Sequence, residues 1–484
     1  MTLEFHLNGR RQVVRDVPPN VTALDYIREH ARLTGTKEGC AEGDCGACTV
    51  VLATGPTDPA GPGDGPEDGR TFRAVNACLL TLPHLNGADV LTVEGLADGD
   101  GLDPVQAAMA DGDGTQCGYC TPGFVMALYA LRRGGEEIDP ETVHDALAGN
   151  LCRCTGYRPI VDAAVKACGE AGPGGYEAPP PAHAPAEAAE RYEAGGQAFL
   201  SPTNLAEMAE ALAENPDALI LAGGTDLGLL ASKERRELPV VIHTGRVAEL
   251  LEIRDEPDCL EFGAAVTYTD ALPLIERDYP SFGTLIRRIG SRQIRNMGTI
   301  GGNIGNASPI GDTLPCLIAL DATLSLHSRD GPREMPVEDF FLDYRKTDLG
   351  PGEFIRSVRI PKPRDGEAFR TYKISKRYDQ DIASVIGAYR VAVADGSVRE
   401  ARIAYGGMAA TPKRARACEA ALTGSAWRED ALMEAARAID EDFEPLSDHR
   451  ASAAYRSMVA RNLFARLWRD LSAVDEPIEV VTIR

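Results

Sequence analysis

The sequence predicts a multidomain α+β protein, and three observations carry that expectation. Its 484 residues exceed what one hydrophobic core organises and point to roughly three or four domains. Along the chain, strand-type alternation gives way to short capped helices and then to mixed helix and strand patterns. Between the last two lies a stretch rich in Gly, Pro, Ala and Glu that cannot bury enough apolar surface to fold alone.

Residues 1–95 read as a small ferredoxin-like module. Leu3, Phe5 and Leu7 alternate, and the alternation resumes at Val13 after Asn8-Gly9, a hairpin turn. Thr22 to Arg32 places Ala23, Leu24, Ile27 and Ala31 at a helical period. Strands at Thr49–Ala53 and Thr71–Val75 flank an exposed insertion, Thr54 to Arg70, dominated by Gly, Pro and Asp. Residues 96–168 read as a four-helix domain. Asp103-Pro104, Thr121-Pro122 and Asp139-Pro140 each pair a capping residue with proline at the first helical position, and Arg158-Pro159 opens a fourth helix. Gly134-Gly135 and Gly149 are the stops.

Residues 169–197, with Pro179-Pro180-Pro181, are the expected linker. In residues 198–368 a helix at Leu205–Glu214 precedes an apolar strand, Ala218–Ala222, that runs into Gly223-Gly224. Residues 369–484 form the last domain, with a strand at Ala383–Ala394. Its final helix carries Tyr455, Met458, Val459, Leu463, Phe464, Leu467 and Trp468 as an expected core stripe.

Composition bounds the partners. The chain is 44% hydrophobic and 25% charged, a globular balance, and no apolar run approaches the ~20 residues of a membrane span. The 50 Lys and Arg against 73 Asp and Glu give a net charge of −23, which repels nucleic acid and anionic lipid and leaves small molecules or proteins as partners. Met1-Thr2-Leu3-Glu4-Phe5 enters a strand pattern without a basic or apolar leader, so a cytoplasmic location is expected. Twelve cysteines in such a chain are metal ligands or catalytic groups more often than disulfides.

Eight of those cysteines fall into two quartets. Cys40, Cys45 and Cys48, spaced x4 and x2 with Cys78 following at a distance, match plant-type 2Fe-2S ligands. Gly39, Gly43 and Gly46 let the backbone approach the cluster closely, whereas zinc knuckles favour paired C-x2-C units. The second quartet is Cys117-x2-Cys120 with Cys152-x-Cys154, a spacing that zinc sites also use. Two helix-end loops facing each other across one cluster is the reading that context favours. Cys168, Cys259, Cys316 and Cys418 are isolated and read as buried small hydrophobes, and the histidines show no ligand spacing.

No G-x-G-x-x-G follows a strand after the linker, so a Rossmann site has no support. Two other glycine-rich segments suggest a dinucleotide held from two sides. Leu221-Ala222-Gly223-Gly224-Thr225-Asp226-Leu227 can offer successive amides to a pyrophosphate. Met297 to Asp312 combines glycines with Thr299, Asn303, Asn306, Ser308 and Asp312.

With these motifs in view, the chain resembles the small subunit of bacterial xanthine dehydrogenases, within the molybdenum hydroxylase family. The likeness spans essentially the whole chain. It rests most specifically on the runs Glu38 to Cys48, Gln116 to Gly123, Gly149 to Tyr157, and Ile300 to Asn303. It implies a β-grasp ferredoxin-like domain, a four-helix iron-sulfur domain, a two-lobed FAD-binding domain of the vanillyl-alcohol oxidase type, and a C-terminal α+β domain. It also implies two 2Fe-2S clusters and FAD in this chain, NAD as acceptor, and a molybdenum-pterin centre on a large partner, in an assembly of two small and two large chains.

Carried over by residue, Leu221, Ala222, Gly223, Gly224, Thr225, Asp226 and Leu227 contact the FAD pyrophosphate and ribose. Thr299, Gly302, Asn303 and Asp312 bind further along it, and Lys373 lies near its edge. Gln116 and Cys117 would face the partner's pterin, and Ile289 stands where eukaryotic relatives place an aromatic against the flavin. Because the sequence stops at Arg484 without a molybdenum-binding region, the expected role is redox relay rather than purine chemistry. The corresponding subunit of an aldehyde or heteroaromatic hydroxylase, a free-standing NADH-acceptor reductase and a zinc-stapled scaffold are the alternatives.

Overall fold

A computed structural model describes residues 2–54, 70–97, 101–169 and 188–472. The expected insertion, apart from its two end residues, and most of the expected linker lie outside those ranges. The chain divides into two compact units. One gathers Met1–Leu251, Ala265–Asp270 and Gly290–Thr299; the other gathers Glu252–Ala264, Ala271–Ile289 and Ile300–Arg484. The architecture is mixed α+β, as the sequence predicts.

The first unit begins with a five-stranded sheet in the spatial order Arg10–Val14, Leu3–Leu7, Asp89–Leu91, Thr49–Thr54, Thr71–Asn76. Leu3–Leu7 runs parallel to Asp89–Leu91, and the other pairs are antiparallel. The hairpin turn sets Asn8 at φ 51 and Gly9 at φ 73, the paired left-handed residues a two-residue turn requires. Leu3, Phe5 and Leu7 are buried on one face, as their alternation demands. The expected helix after Thr22 is instead one α-turn, Ala23–Asp25, capped by Thr22 and widened into a π-turn over Tyr26–His30. The wider turn is closed by Ala31 N–H donating to Tyr26 O at 2.9 Å, and Tyr26 packs edge-on to Phe5 at 5.5 Å.

Four helices follow: Pro104–Asp111, Thr121–Arg133, Pro140–Leu147 and Arg158–Gly169. Asp103 and Gln106 form a reciprocal capping box, and Asp139 accepts from Thr142 N at 2.7 Å, each cap worth about 1 kcal/mol. The Thr121 cap is corrected: Cys120 occupies the cap position and Thr121 is already helical. Its hydroxyl pairs with that of Thr115 at 2.7 Å instead. Gly123 to Leu131 are buried all round, so this helix is the domain's axis.

A four-stranded sheet follows in this unit, in the order Glu190–Ala194, Gln197–Ser201, Val240–His243, Leu219–Leu221, together with the expected helix Leu205–Glu214 and the short helices Gly228–Ser232 and Arg292–Arg295. Glu190–Ala194 falls inside the expected linker. It pairs there because Tyr192 is buried, with its hydroxyl donating to Val17 O at 2.6 Å.

The second unit holds an antiparallel sheet ordered Ile253–Asp255, Cys259–Gly263, Phe354–Pro361, Thr323–Ser328, Gly331–Pro336. A second sheet, Glu367–Ile374, Val385–Ala394, Ser397–Gly406, Lys413–Arg414, shares its core with the helices Arg416–Leu422, Glu429–Ala435 and Ala453–Leu471. Of the expected stripe on the last helix, Leu463, Phe464 and Leu467 are buried and Val459 and Trp468 partly so. Tyr455 and Met458 are 42% and 51% exposed and are not core. The inward position at that end belongs to Arg456, whose two terminal guanidinium nitrogens donate to Ser384 O, Gly407 O and Asp448. Cys316 and Cys418 are buried as expected, whereas Cys168 and Cys259 are only partly so. Among the described residues no helix is long and apolar enough to cross a membrane.

Candidate functional site

The first quartet is assembled by strand register. Thr49 lies opposite Asn76, and Cys48, one residue before that pair, meets Cys78, two residues after it, with their Sγ atoms 3.3 Å apart. Cys40 and Cys45 form a second pair, and the amides of Glu42 and Cys45 each donate to Cys40 Sγ at 3.4 Å. The Cys45 thiol first, then the amides of Cys45, Asp44 and Gly43, hold Cys40 down to about 5 against the opposing effect of burial. Cys48 is likewise lowered, chiefly by Cys78 and also by Asn76, while Cys45 and Cys78 are raised by the same contacts. Each pair therefore has one thiol easier to ionise and one harder. Gly43 and Gly46 turn the loop at φ +82 and +66, and a Cβ on Gly39 would stand 2.7 Å from Cys45 Sγ.

In the second quartet Cys117 and Cys120 precede Thr121–Arg133, and Cys152 and Cys154 follow Pro140–Leu147. The Cys117 thiol contacts that of Cys154, and the Cys120 thiol that of Cys152. Cys117 is lowered, first by the Tyr119 amide and then by Cys154. Burial pushes Cys120 up to about 12. Cys152 Sγ lies 3.2 Å from Thr155 Oγ1, and its amide donates to Tyr157 Oη at 3.0 Å.

Both quartets thus consist of two thiol pairs. A two-iron cluster would take its four thiolates two to each iron, whereas a structural zinc draws four ligands to one centre. Among the described residues no three Cys, His, Asp or Glu side chains converge as a single-ion centre requires. The thiols fit two-iron clusters.

The loop Leu221–Leu227 leaves the strand Leu219–Leu221 in the first unit. Among the described residues, no acceptor takes the amide N–H of any residue from Ala222 to Leu227. Such a run is an anion cradle waiting for oxygens, and it fits a pyrophosphate. The loop is pressed against its neighbours: a Cβ on Gly223 would fall 1.6 Å from Met297 O, and one on Gly224, at φ +74, 3.0 Å from Leu79 O. Thr299, buried in the same unit, bridges to Thr267.

Sequence reasoning missed His84, whose Nε2 lies 3.2 Å from Ala222 O and whose Nδ1 lies 2.9 Å from Thr81 Oγ1. Burial keeps it below its ordinary pKa, so the neutral ring donates from Nε2 to Ala222 and accepts from Thr81. No spacing in the sequence signals that contact.

Gly302, Asn303, Asp312 and Lys373 belong to the second unit. Gly302 is exposed. Asn303 Oδ1 accepts from Thr313 Oγ1 at 2.7 Å. Asp312 and Lys373 are brought together, Nζ to Oδ2 at 2.6 Å, and Lys373 also donates to Arg288 O at 2.8 Å. Burial raises the Asp312 carboxyl, while Lys373 and Arg288 oppose it. Ile289 lies in the bend after the helix Pro280–Arg287, just before Gly290.

Comparison with known proteins agrees segment by segment. Residues 5–82 match a 2Fe-2S iron-sulfur cluster binding domain and 92–165 a [2Fe-2S] binding domain. Residues 192–363 match the FAD binding domain in molybdopterin dehydrogenase, and 370–471 the CO dehydrogenase flavoprotein C-terminal domain. Together they define an iron-sulfur flavoprotein.

Xanthine dehydrogenase of Emericella nidulans is 32% identical over 97% of this chain and 38% of that protein. Aldehyde oxidase 1 of Bos taurus is 32% identical over 99% of this chain and 40% of that protein. A solved carbon monoxide dehydrogenase chain of Hydrogenophaga pseudoflava is 30% identical, with a TM-score of 0.53, over 55% of this chain and 94% of that one. The chain belongs to the molybdenum hydroxylase family, as an iron-sulfur and FAD chain. It spans about two fifths of the length of the curated relatives it matches.

Proposed function

We propose that this chain is the electron-transfer subunit of a xanthine dehydrogenase-type enzyme. It takes electrons from a molybdenum-pterin centre on a large partner chain and delivers them to NAD, in an assembly of two small and two large chains. The observation that carries the reading is the arrangement of eight thiols as two pairs per quartet, in the unit that also holds the free amides of Ala222 to Leu227. When bound, two-iron clusters supply one-electron carriers and FAD exchanges electrons singly or as a hydride.

The chain's own residues bind and orient. Cys40, Cys45, Cys48 and Cys78 are the ligands of one cluster, and Cys117, Cys120, Cys152 and Cys154 those of the other. In the first unit the amides of Leu221 to Leu227 take the pyrophosphate and Thr299 is a further FAD residue; in the second unit Gly302, Asn303 and Asp312 are FAD residues, with Lys373 fixing the Asp312 carboxylate. Residues 1–95, 96–168, 198–368 and 369–484 are the four domains, close to the segments matched by family models.

The test is to purify the chain with and without a large molybdenum protein. Alone, it should carry iron and FAD, reduce an artificial acceptor from NADH, and leave xanthine untouched. With the partner it should reduce NAD at the expense of xanthine. Xanthine oxidation by the chain alone would refute the subunit role. The equal identity to an aldehyde oxidase favours a second reading, in which the partner oxidises aldehydes or heteroaromatic compounds. Turnover of those but not of xanthine by the complex would decide for it.

A further inference from the structure

The two thiol loops meet at a buried junction built from groups remote in sequence. Leu151 N–H donates to Cys45 O at 3.0 Å. Beside it, Asn150 Nδ2 donates to Gly46 O at 3.1 Å, and Gln293 Nε2 donates to Asn150 Oδ1 at 2.8 Å. Asn150 is 2% exposed and Gln293 0%. The packing leaves no slack: a Cβ on Gly46 would stand 2.2 Å from Gly149 O, one on Gly123 2.2 Å from Gly46 O, and one on Gly149 2.0 Å from Gln293 Oε1.

Two buried amides are an expensive way to fill space, since each costs free energy unless its polar atoms are bonded, and Gln293 Oε1 has no partner among the described residues. An apolar side chain would fill the same space without that cost. What the amides contribute is direction. Asn150 grips the carbonyl next to that of Cys45, and Gln293 holds Asn150 from the segment Gly290–Thr299, so the peptides of Cys45 and Leu151 cannot slide past each other. The residue before Leu151 and the residue after it, Cys152, thereby connect one quartet to the other through a single backbone hydrogen bond.

We propose that Asn150, held by Gln293, is a positioning residue that fixes the Leu151-to-Cys45 hydrogen bond as the electronic bridge between the groups held by the two quartets. The proposal rests on the ligand assignment made above. The event it serves is the passage of one electron from a reduced carrier, which is oxidised by one electron, to an oxidised carrier, which is reduced by one. No bond forms or breaks and no proton moves.

The experiment uses the full-length holoprotein reduced with dithionite. Iron content and low-temperature paramagnetic resonance are measured for wild type, Asn150→Ala, Gln293→Ala and the double variant. Splitting from spin coupling between the two reduced centres is recorded, together with the rate of internal electron redistribution after partial photoreduction. Asn150→Ala should keep both centres, lose most of the splitting and redistribute electrons several-fold more slowly. Gln293→Ala should do the same to a smaller degree, and the double variant should be no worse than Asn150→Ala, since the two residues act as one unit.

Unchanged splitting and rate in both single variants, with iron intact, would overturn the proposal. If Asn150→Ala loses a centre outright, Gln293→Ala decides, because it leaves Asn150 and both cysteine loops in place. A wild-type protein without iron, or with only one paramagnetic centre, would instead overturn the ligand assignment.

Discussion

Lys373 Nζ stands 2.6 Å from Asp312 Oδ2, with the two side chains 2% and 10% exposed. A buried pair of this kind is worth little over an apolar pair of the same volume, but removing one partner strands a charge at a cost of roughly 3–5 kcal/mol. Lys373→Met should therefore lower the unfolding free energy of the second unit, measured by denaturant titration, by that order, and adding Asp312→Leu should recover much of the loss. A double variant no more stable than Lys373→Met would mean the residues do not act as a pair.

Two glycines of the flavin loops should respond differently. At Gly223 a new Cβ meets Met297 O at 1.6 Å, so Gly223→Ala should lose both flavin and thermal stability. Gly302 is exposed, so Gly302→Val should leave the fold and the iron untouched. If that face meets the dinucleotide, the same substitution should still expel flavin. Full flavin absorbance in Gly302→Val would remove this residue from the site.

The thiol pairing makes an assignment that spectroscopy can check. Cys45→Ala should abolish one paramagnetic signal of the reduced protein and Cys120→Ala the other. Loss of the same signal in both variants would show that the quartets have been divided wrongly.

Asp145 sits between Arg292 and Arg295, with Arg292 Nε 2.9 Å from Oδ2. Burial alone would raise this carboxyl, but Arg295 and Arg292 outweigh it and bring it below 3.8. A carboxyl whose folded pKa lies below its unfolded one stabilises the fold above the unfolded value and loses that contribution as pH falls through the folded one. Asp145→Asn should thus speed hydrogen exchange in the helix Pro140–Leu147 at neutral pH. The gap to wild type should close as the pH drops below 3.8. A gap that does not depend on pH would contradict the charge interaction.

Local chemistry explains what the sequence disclosed. Asp103 and Asp139 advertise their helices because a cap needs only its own next three residues. The cysteine quartets are legible because Cys40, Cys45 and Cys48, and then Cys117 with Cys120 and Cys152 with Cys154, each fall within a few residues of one another. Thr121 misled because Cys120 already takes helical dihedrals, and Tyr455 and Met458 because Arg456 fills the inward position that helical periodicity would give to an apolar side chain. Glu190–Ala194 was lost in the composition of the linker, since the burial of Tyr192 that makes it a strand depends on Val17. Asn150 with Gln293, and His84 with Ala222, were out of reach for the same reason: each contact joins positions more than a hundred residues apart.

The discontinuous make-up of the first unit has a bearing on biosynthesis. Its N-terminal domains emerge from the ribosome long before Gln293, Arg292 and Arg295, which bond Asn150 and Asp145. Until residue 299 has been made, the nascent helical domain carries a buried-type amide and carboxylate with their partners still unsynthesised. Domains generally fold as they emerge, so the first unit must wait in a partly open form. Through that interval the bonds of Asn150 to Gln293 and of Asp145 to Arg292 and Arg295 are still to be made, so the helical domain gains its last contacts only when the Gly290–Thr299 segment arrives.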